Sequence, residues 1–391
     1  MSFSFESISR STSLALEKQA TALALLQEKV STGSKINRAS DEPSDANRVM
    51  ALNSNIQKLD NYVQEMDELN DTLNLASNLL SAVSDQVTDF RADLTSALSM
   101  GDDRKAATAA GVNDLLEALL SLANTKNKEQ HIFGGADSAS SPYTVEQKNG
   151  EISRVVYQGS YTERKAEVAP NVEISTVFVG DKMFREDNRQ APVFISNPTG
   201  AAVGTGTSSV EGYFEMEVTK SGANYELSID GGLSKVTVPA GGETNTAVTD
   251  SRTGKVLYVD TTGLTDTGTV NVNVPGTHDI FNLLINIRNL LRSPSPTDVK
   301  DELKATADAL STVQSKISTG FSVIGGRAST LGIMKDGYEN VKFNSKEEIS
   351  RLQDADVAQI AVDITRRETL YQMSMGVASK LLSTSLMDFL R

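Results

Sequence analysis

Residues 52–97 read LNSNIQKLDNYVQEMDELNDTLNLASNLLSAVSDQVTDFRADLTSA. One apolar residue returns at every seventh position: Leu52, Leu59, Met66, Leu73, Leu80, Val87 and Leu94. A companion row runs three residues on, through Tyr62, Leu69, Ala76, Val83, Phe90 and Ala97. These are the a and d positions of a coiled coil, held over about six heptads. A stripe that narrow and long cannot be buried by its own helix. The segment at about 300–350 is the expected cover.

Outward from this seam, residues 12–30 read as an amphipathic helix with Leu16, Ala20, Leu23, Leu26 and Val30 on one face. Ser31-Thr32-Gly33-Ser34 breaks it, Ser40 and Asp41 offer N-caps, and Pro43 suits the first turn of the next helix. After the heptads, Gly101-Asp102-Asp103 reads as a turn and a third helix is expected from about Lys105 to Asn127. The period then changes. Tyr143–Gln147 and Ile152–Tyr157 flank Asn149-Gly150, a hairpin signal because both turn residues tolerate positive φ. Another strand is expected around Arg164–Val168, with extended structure through Val177–Val179.

Residues 191–275 read as an inserted all-β domain. Phe214, Met216 and Val218 alternate with polar residues, as do Tyr225, Leu227 and Ile229 after the turn Ser221–Asn224. Short runs at 235–238, 255–259 and 269–274 complete the pattern of a small sandwich or similar β fold. Helix returns at Ile280–Leu291 and stops at Pro294 and Pro296, and Thr297 is the expected N-cap of a long helix that Gly325-Gly326 could bend or interrupt. Helical spacing of Ile349, Leu352, Ile360, Ile364, Tyr371, Met375, Ala378, Leu382, Leu386 and Phe389 continues to the C-terminus. The expected fold class is α+β multidomain: an elongated helical coiled-coil stalk built from both chain ends, with the β domain inserted.

Composition narrows the function. With 37 Lys+Arg against 51 Asp+Glu in 391 residues, the net charge is −14, and no basic block offsets it. Nucleic acid is therefore not expected as a partner, since that contact requires clustered cations. Cysteine is absent, which removes disulfides and thiolate metal sites. No run approaches the ~20 apolar residues of a membrane span, and no membrane partner is expected. Met1–Val30 lacks a basic region followed by a continuous apolar core, so no cleavable signal peptide is expected. Residues 1–35 hold four cations and three anions, and residues 360–391 likewise, so the ends are near neutral and suited to close packing.

Chemistry finds no footing. The two histidines, His131 and His278, lie far apart, and no zinc-protease, P-loop or dinucleotide motif is present. Asp260-Thr261-Thr262-Gly263 and Asp266-Thr267-Gly268 lack the spacing and closing Glu of an EF-hand. Neither catalytic residues nor metal ligands nor a cofactor are assigned, and an enzyme is not expected. The terminal stripes instead point outward. Leu16, Leu23, Val30, Ile364, Tyr371, Leu382, Leu386 and Phe389 are the expected assembly interface, because these amphipathic faces lie beyond the segments that pair in the middle of the chain.

Val30-Ser31-Thr32-Gly33-Ser34-Lys35-Ile36-Asn37-Arg38-Ala39-Ser40-Asp41-Glu42-Pro43 resembles the signature that follows the first helix of bacterial flagellins and their junction relatives. Ser350-Arg351-Leu352-Gln353-Asp354-Ala355-Asp356-Val357-Ala358 and the ending Ser385-Leu386-Met387-Asp388-Phe389-Leu390-Arg391 resemble the same superfamily. Ile132-Phe133-Gly134-Gly135, Pro142-Tyr143, Tyr157-Gln158-Gly159 and Gly180-Asp181-Lys182-Met183-Phe184 are similar to its hook–filament junction branch. The likeness covers roughly 1–185 and 280–391 and leaves the β insertion outside.

The resemblance implies a structural adaptor of the bacterial flagellum. It would form a ring of its own copies between another hook-associated protein and flagellin. It would be extracellular and exported through the flagellar type III channel, with its C-terminal helix recognised by a cytoplasmic export chaperone. Residues 1–40 plus 350–391 would form a terminal inner-tube domain, disordered before assembly. Residues 41–190 plus 276–349 would form a helical rod carrying the β-hairpin, and 191–275 the inserted β domain. Two other readings are a flagellin, as the filament subunit, and a surface-binding module that uses Tyr213, Tyr225 and Tyr258 of the insertion.

Overall fold

The computed structural model describes residues 5–100, 102–195, 197–292 and 298–389. The fold is α+β, and the chain divides into two compact units, Met1–Glu65 with Ile333–Arg391, and Met66–Gly332. Seven helices occur among the described residues: α1 (Phe5–Thr32), α2 (Pro43–Met100), α3 (Asp102–Ala123), α4 (Gly180–Phe184), α5 (Ile280–Arg292), α6 (Asp298–Gln353) and α7 (Val357–Phe389).

The heptad rows of α2 do what their spacing requires. From Met66 to Ala97 every residue of both rows is buried, while Leu52, Leu59 and Tyr62 are half-buried. The covering helix is α6, which carries its own seven-residue row of Leu303, Leu310, Ile317, Ile324 and Leu331, all buried. Within Met66–Gly332 the two helices meet where Gly320 stands in for a side chain. A Cβ there would lie 3.6 Å from Leu80 Cδ1 and 2.8 Å from the sulfur of Met183. Arg91 Nη1 donates to Gln314 Oε1 at 2.6 Å, and Gln314 Nε2 donates to Thr88 Oγ1 at 2.6 Å. Each buried Leu of these rows contributes about 1.5–3 kcal/mol relative to an exposed one. In Met1–Glu65 with Ile333–Arg391 the same two helices place Tyr62 against Tyr338, ring centroids 6.0 Å apart, and pair Asp60 with Lys342 and Arg48 with Glu348.

Two helix boundaries differ from expectation. α6 runs unbroken through Gly325 and Gly326. A helical glycine costs about 1 kcal/mol, and the buried side chains of Ile324 and Leu331 on either side outweigh that. α3 ends at Ala123, short of Asn127, because the side chain of Asn124 turns to the hairpin: it accepts from Tyr143 N and donates to Tyr143 O, both at 3.0 Å. Lys126–Asn127 (β1) then pairs with Gln130–His131 (β2) across Lys128 at φ 55°. Pro294, Pro296 and Thr297 lie outside the described residues. Arg104–Ala123 is long and apolar enough by composition to cross a membrane; it packs on α5 and buries Val112, Leu116 and Leu119.

Tyr143–Lys148 (β3) and Glu151–Tyr157 (β4) form the expected hairpin, with Asn149 and Gly150 at φ 55° and 82°. Lys165–Ala169 (β5) pairs with Val172–Ser175 (β6). The insertion holds β7 (Val193–Ile195), β8 (Ala202–Val203), β9 (Gly212–Ser221), β10 (Asn224–Ser228), β11 (Val236–Val238), β12 (Thr246–Thr249), β13 (Val256–Asp260) and β14 (Gly268–Val274). An antiparallel sheet of order β11-β10-β9-β14-β7 and a second of order β12-β13-β8 share one core that includes Met216, Leu227, Val248, Leu257, Val259, Val270 and Val272, which makes a small sandwich.

The chain enters and leaves the sandwich through a neck organised by Arg185. Its guanidinium donates to Asp181 Oδ1 at 2.7 Å and to Thr277 O at 2.8 Å, and pairs with Glu211 at 3.2 Å and Asp279 at 3.5 Å. Asp279 also caps α5, accepting from Asn282 N at 2.9 Å. One half-buried cation thus holds together α4, the residue before the first long strand of the sandwich and the start of α5. Next to it, His278 is buried and its pKa is pushed down to about 4 by desolvation, with Asp279 opposing and Arg185 adding to the effect. Burial raises the carboxyls of Asp181 and Glu186.

Three outcomes follow from this packing. Leu80→Ala should cost about 2–5 kcal/mol of stability, read by urea unfolding. Arg185→Ala leaves Asp181 and Asp279 without their cation, while Glu211 keeps Lys255, and should cost about 3 kcal/mol, with new proteolytic cleavage near 186–192. A histidine whose folded pKa lies below its unfolded value binds its proton more readily in the unfolded chain, so stability falls as pH drops from about 6.5 toward about 4. Asp181 and Glu186 act in the opposite sense. His278→Gln should therefore flatten the fall of Tm measured between pH 6.5 and 5.

Candidate assembly interface

The terminal helices form a seam of their own. Along α1 the half-buried residues Thr12, Leu16, Gln19, Leu23, Leu26 and Val30 step by four and three, and along α7 Ile360, Ile364, Tyr371, Ser374 and Ala378 do much the same. α1 packs on α7, and Ser374 Oγ lies 3.4 Å from Gln19 Oε1 across the pair. A polar layer within an apolar seam favours one register of the two helices.

The two stretches that carry the family resemblance meet at the base of this pair. Gly33, at φ 67°, ends α1 in the left-handed conformation that glycine adopts at low cost. Ser34 then bridges antiparallel to Asp354. Lys35 N donates to Gln353 O at 2.8 Å, and Ala355 N to Gly33 O at 2.9 Å. Asp356 caps α7 through Gln359 N at 3.0 Å. Asp41, expected as an N-cap of α2, folds back instead: its Oδ2 accepts from Arg38 N at 2.9 Å and Asn37 N at 3.2 Å, fixing the loop before the helix. Pro43 takes the first position of α2, as its fixed φ and missing N–H suit.

Of the expected interface residues, Leu16, Leu23, Val30, Ile364 and Tyr371 are half-buried on the α1–α7 seam. The side chains of Leu382, Leu386 and Phe389 lie outside the described residues. A different set is left open. Val362, at 62% exposure, Leu370, Met373, at 63%, and Val377 occupy one further face of α7, about 120° round the helix from the seam at about 100° per residue. Leu14 and Leu25 are exposed on the side of α1 away from its seam. A helix that is apolar on two faces is suited to neighbours on two sides. The spacing of 362, 370, 373 and 377 carries this second stripe in the sequence beside the first.

The tyrosines of the insertion do not make a binding platform. Tyr225 is buried in the sandwich core. Tyr213 is half-buried, and its phenol meets Glu302 and Asn271. Tyr258 is covered by the chain at Gly206, where a Cβ would come within 2.4 Å of the ring. No group of three or more His, Cys, Asp or Glu placed to hold a metal occurs among the described residues.

The chain is thus an α+β protein whose two ends pair as helices and keep a second apolar helix face open. Residues 3–137 match the family model of the bacterial flagellin N-terminal helical region. The fold is that of the flagellar hook-associated protein 3 of Legionella pneumophila, with 19% identity, 78% of this chain and 98% of that chain covered, and a TM-score of 0.52. A protein of Vibrio parahaemolyticus described as a flagellar hook-associated protein is similar at 13% identity, with 80% of this chain and 100% of that chain covered and a TM-score of 0.52. No curated protein matches the chain.

The two faces of α7 should respond differently to charge. Val362→Asp with Met373→Asp should leave the α1–α7 pair intact. Leu23→Asp with Ile364→Asp should open it, removing about 1–3 kcal/mol per apolar side chain. Protease sensitivity of α1, compared between the two double variants, reads the difference.

Proposed function

We propose that this chain is a structural subunit of the bacterial flagellum that joins the hook side to the flagellin filament. The observation that supports it most directly is the α1–α7 pair with a second apolar face left open on α7, in a fold shared with a flagellar hook-associated protein 3. The mechanism is packing. The open face of α7, with Leu14 and Leu25 of α1, buries against neighbouring subunits, and area removed from water drives the association. By sequence spacing Leu382, Leu386 and Phe389 continue the first stripe of Ile364, Tyr371 and Ala378, and they are assigned to the assembly interface with it. The partners under this reading are further copies of the chain in a ring, another hook-associated protein on one side and flagellin on the other. Before assembly a cytoplasmic export chaperone would shield the apolar C-terminal helix, and the mature subunit would be extracellular.

Under the same reading, residues 1–40 with 350–391 are the inner domain, residues 41–190 with 276–349 the rod, and 191–275 the outward insertion. A filament subunit would carry the same flagellin-type N-terminal region, so the two roles must be separated by behaviour. Deleting the gene should leave hooks without filaments, with flagellin shed as monomer into the medium, seen by electron microscopy and gel. Loss of the filament protein itself, with no shed monomer, would make the chain a flagellin. Chains lacking 381–391 should keep the β insertion folded and fail to incorporate. Normal filaments in that strain would sink the packing mechanism.

A further inference from the structure

The open face of α7 carries a cation in its midst. Val362, Arg366, Leu370, Met373 and Val377 step by four, four, three and four, and at about 100° per residue they fall within an arc of about 80°. Arg366 is exposed and has no ion-pair partner among the described residues. Whatever covers this face must therefore set a carboxylate between apolar side chains. The outer side of α1 does the opposite, since exposed Lys18 lies between Leu14 and Leu25. A strip on α6, within the same compact unit, has the complementary make-up. Ile333, Asp336, Asn340, Phe343 and Glu347 fall within an arc of about 80° of their own. Ile333 and Phe343, at 71% and 67%, are the most exposed large apolar side chains among those described. Exposed Asp336 has no ion-pair partner among the described residues, whereas Glu347 is already held by Arg351 at 3.6 Å.

We propose that the α6 strip of one subunit packs on the α7 strip of a second copy, the two helices running parallel. The spacing along the axes agrees. At about 1.5 Å per residue, 333 to 343 spans about 15 Å and 362 to 373 about 16 Å. With Ile333 level with Val362, Asp336 and Arg366 differ in height by about 2 Å, and Phe343 falls between Leu370 and Met373. The ring meets a thioether there, a contact that aromatic side chains favour. An antiparallel pairing would set Asp336 against Leu370 instead. Beside the strips, exposed Glu339 comes near exposed Arg367 of the facing helix, and Lys346 lies further round than Glu339, off the contact. A charge pair enclosed by apolar side chains fixes the register and rejects a second α1, whose Lys18 would face Arg366. The two strips are different surfaces, so the contact is heterologous and propagates from copy to copy, as a ring requires. The inference rests on the reading that this chain assembles with itself.

The chain has no cysteine, so introduced thiols report without background. Asn340 and Thr369 are exposed and come level in this register. The chain carrying Asn340→Cys with Thr369→Cys is supplied to cells lacking the native gene, and isolated flagella are oxidised with copper phenanthroline. A ladder of covalent multimers on a non-reducing gel is expected, with monomer from either Cys alone. Adding Arg366→Glu should reduce the ladder about tenfold or more, and adding Asp336→Arg to that should restore it. Monomer alone from flagella that contain the doubly substituted chain, equal crosslinking by either Cys alone, or a ladder indifferent to Arg366→Glu would overturn the contact while leaving the junction role standing. Should the Cys pair itself keep the chain out of flagella, the charge reversal in the cysteine-free chain decides by immunoblot of isolated flagella. Loss with Arg366→Glu and recovery with Asp336→Arg support the contact, and no change overturns it. Flagella of the native strain that are free of the chain would overturn both.

Discussion

An apolar row repeating every seven residues is a demand that only another helix can meet, and most of this molecule is arranged around meeting it. α2 presents the row from Leu52 to Leu94, and α6, more than two hundred residues later, presents its counterpart from Leu303 to Leu331. Because the two helices must lie side by side, everything between them has to leave and return. α3 and α5 pack together, β4 of the Asn149-Gly150 hairpin lies against both, and the sandwich is reached and left through the adjacent strands β7 and β14.

That return path concentrates charge at one place. Arg185 and Asp279 form an isolated antiparallel bridge where the chain departs and comes back, and the same guanidinium reaches Asp181 and Glu211. Buried ion networks add little net stability compared with apolar packing, but they penalise any arrangement that separates their members. The neck therefore acts through geometry more than through binding strength. It sets where the sandwich begins relative to α5, whose N-terminus Asp279 caps.

What could be read in advance followed the regularity of the pattern. The α2 rows were legible because no polar residue interrupts the seven-residue repeat. The α6 row was less regular, since of its companion positions Thr306, Val313, Gly320, Arg327 and Met334 only two are apolar and its glycines read as a possible break. The Asn149-Gly150 hairpin and the long strands β9, β10 and β14 announced themselves through turn chemistry and alternation. β7, β8 and β12 are too short or too polar to alternate visibly. The Arg185 cluster joins residues at 181, 185, 211 and 279, and no local spacing connects them. At the interface, sequence spacing identified a genuine stripe on each terminal helix, but it could not say that the stripes face each other and leave a second face outside.

The pairing of α1 with α7 also has a consequence in time. Its two halves are separated by almost the whole chain, so the seam has about the longest loop to close that this protein allows. At a synthesis rate of about 5–20 residues per second, α1 spends some tens of seconds on a growing chain with no α7 to meet. During that interval its leucines face water or whatever else binds them. The sandwich, whose strands are near neighbours in sequence, is under no such delay. A molecule built this way has an early-closing centre and late-closing ends, and the ends stay open to an outside partner longest.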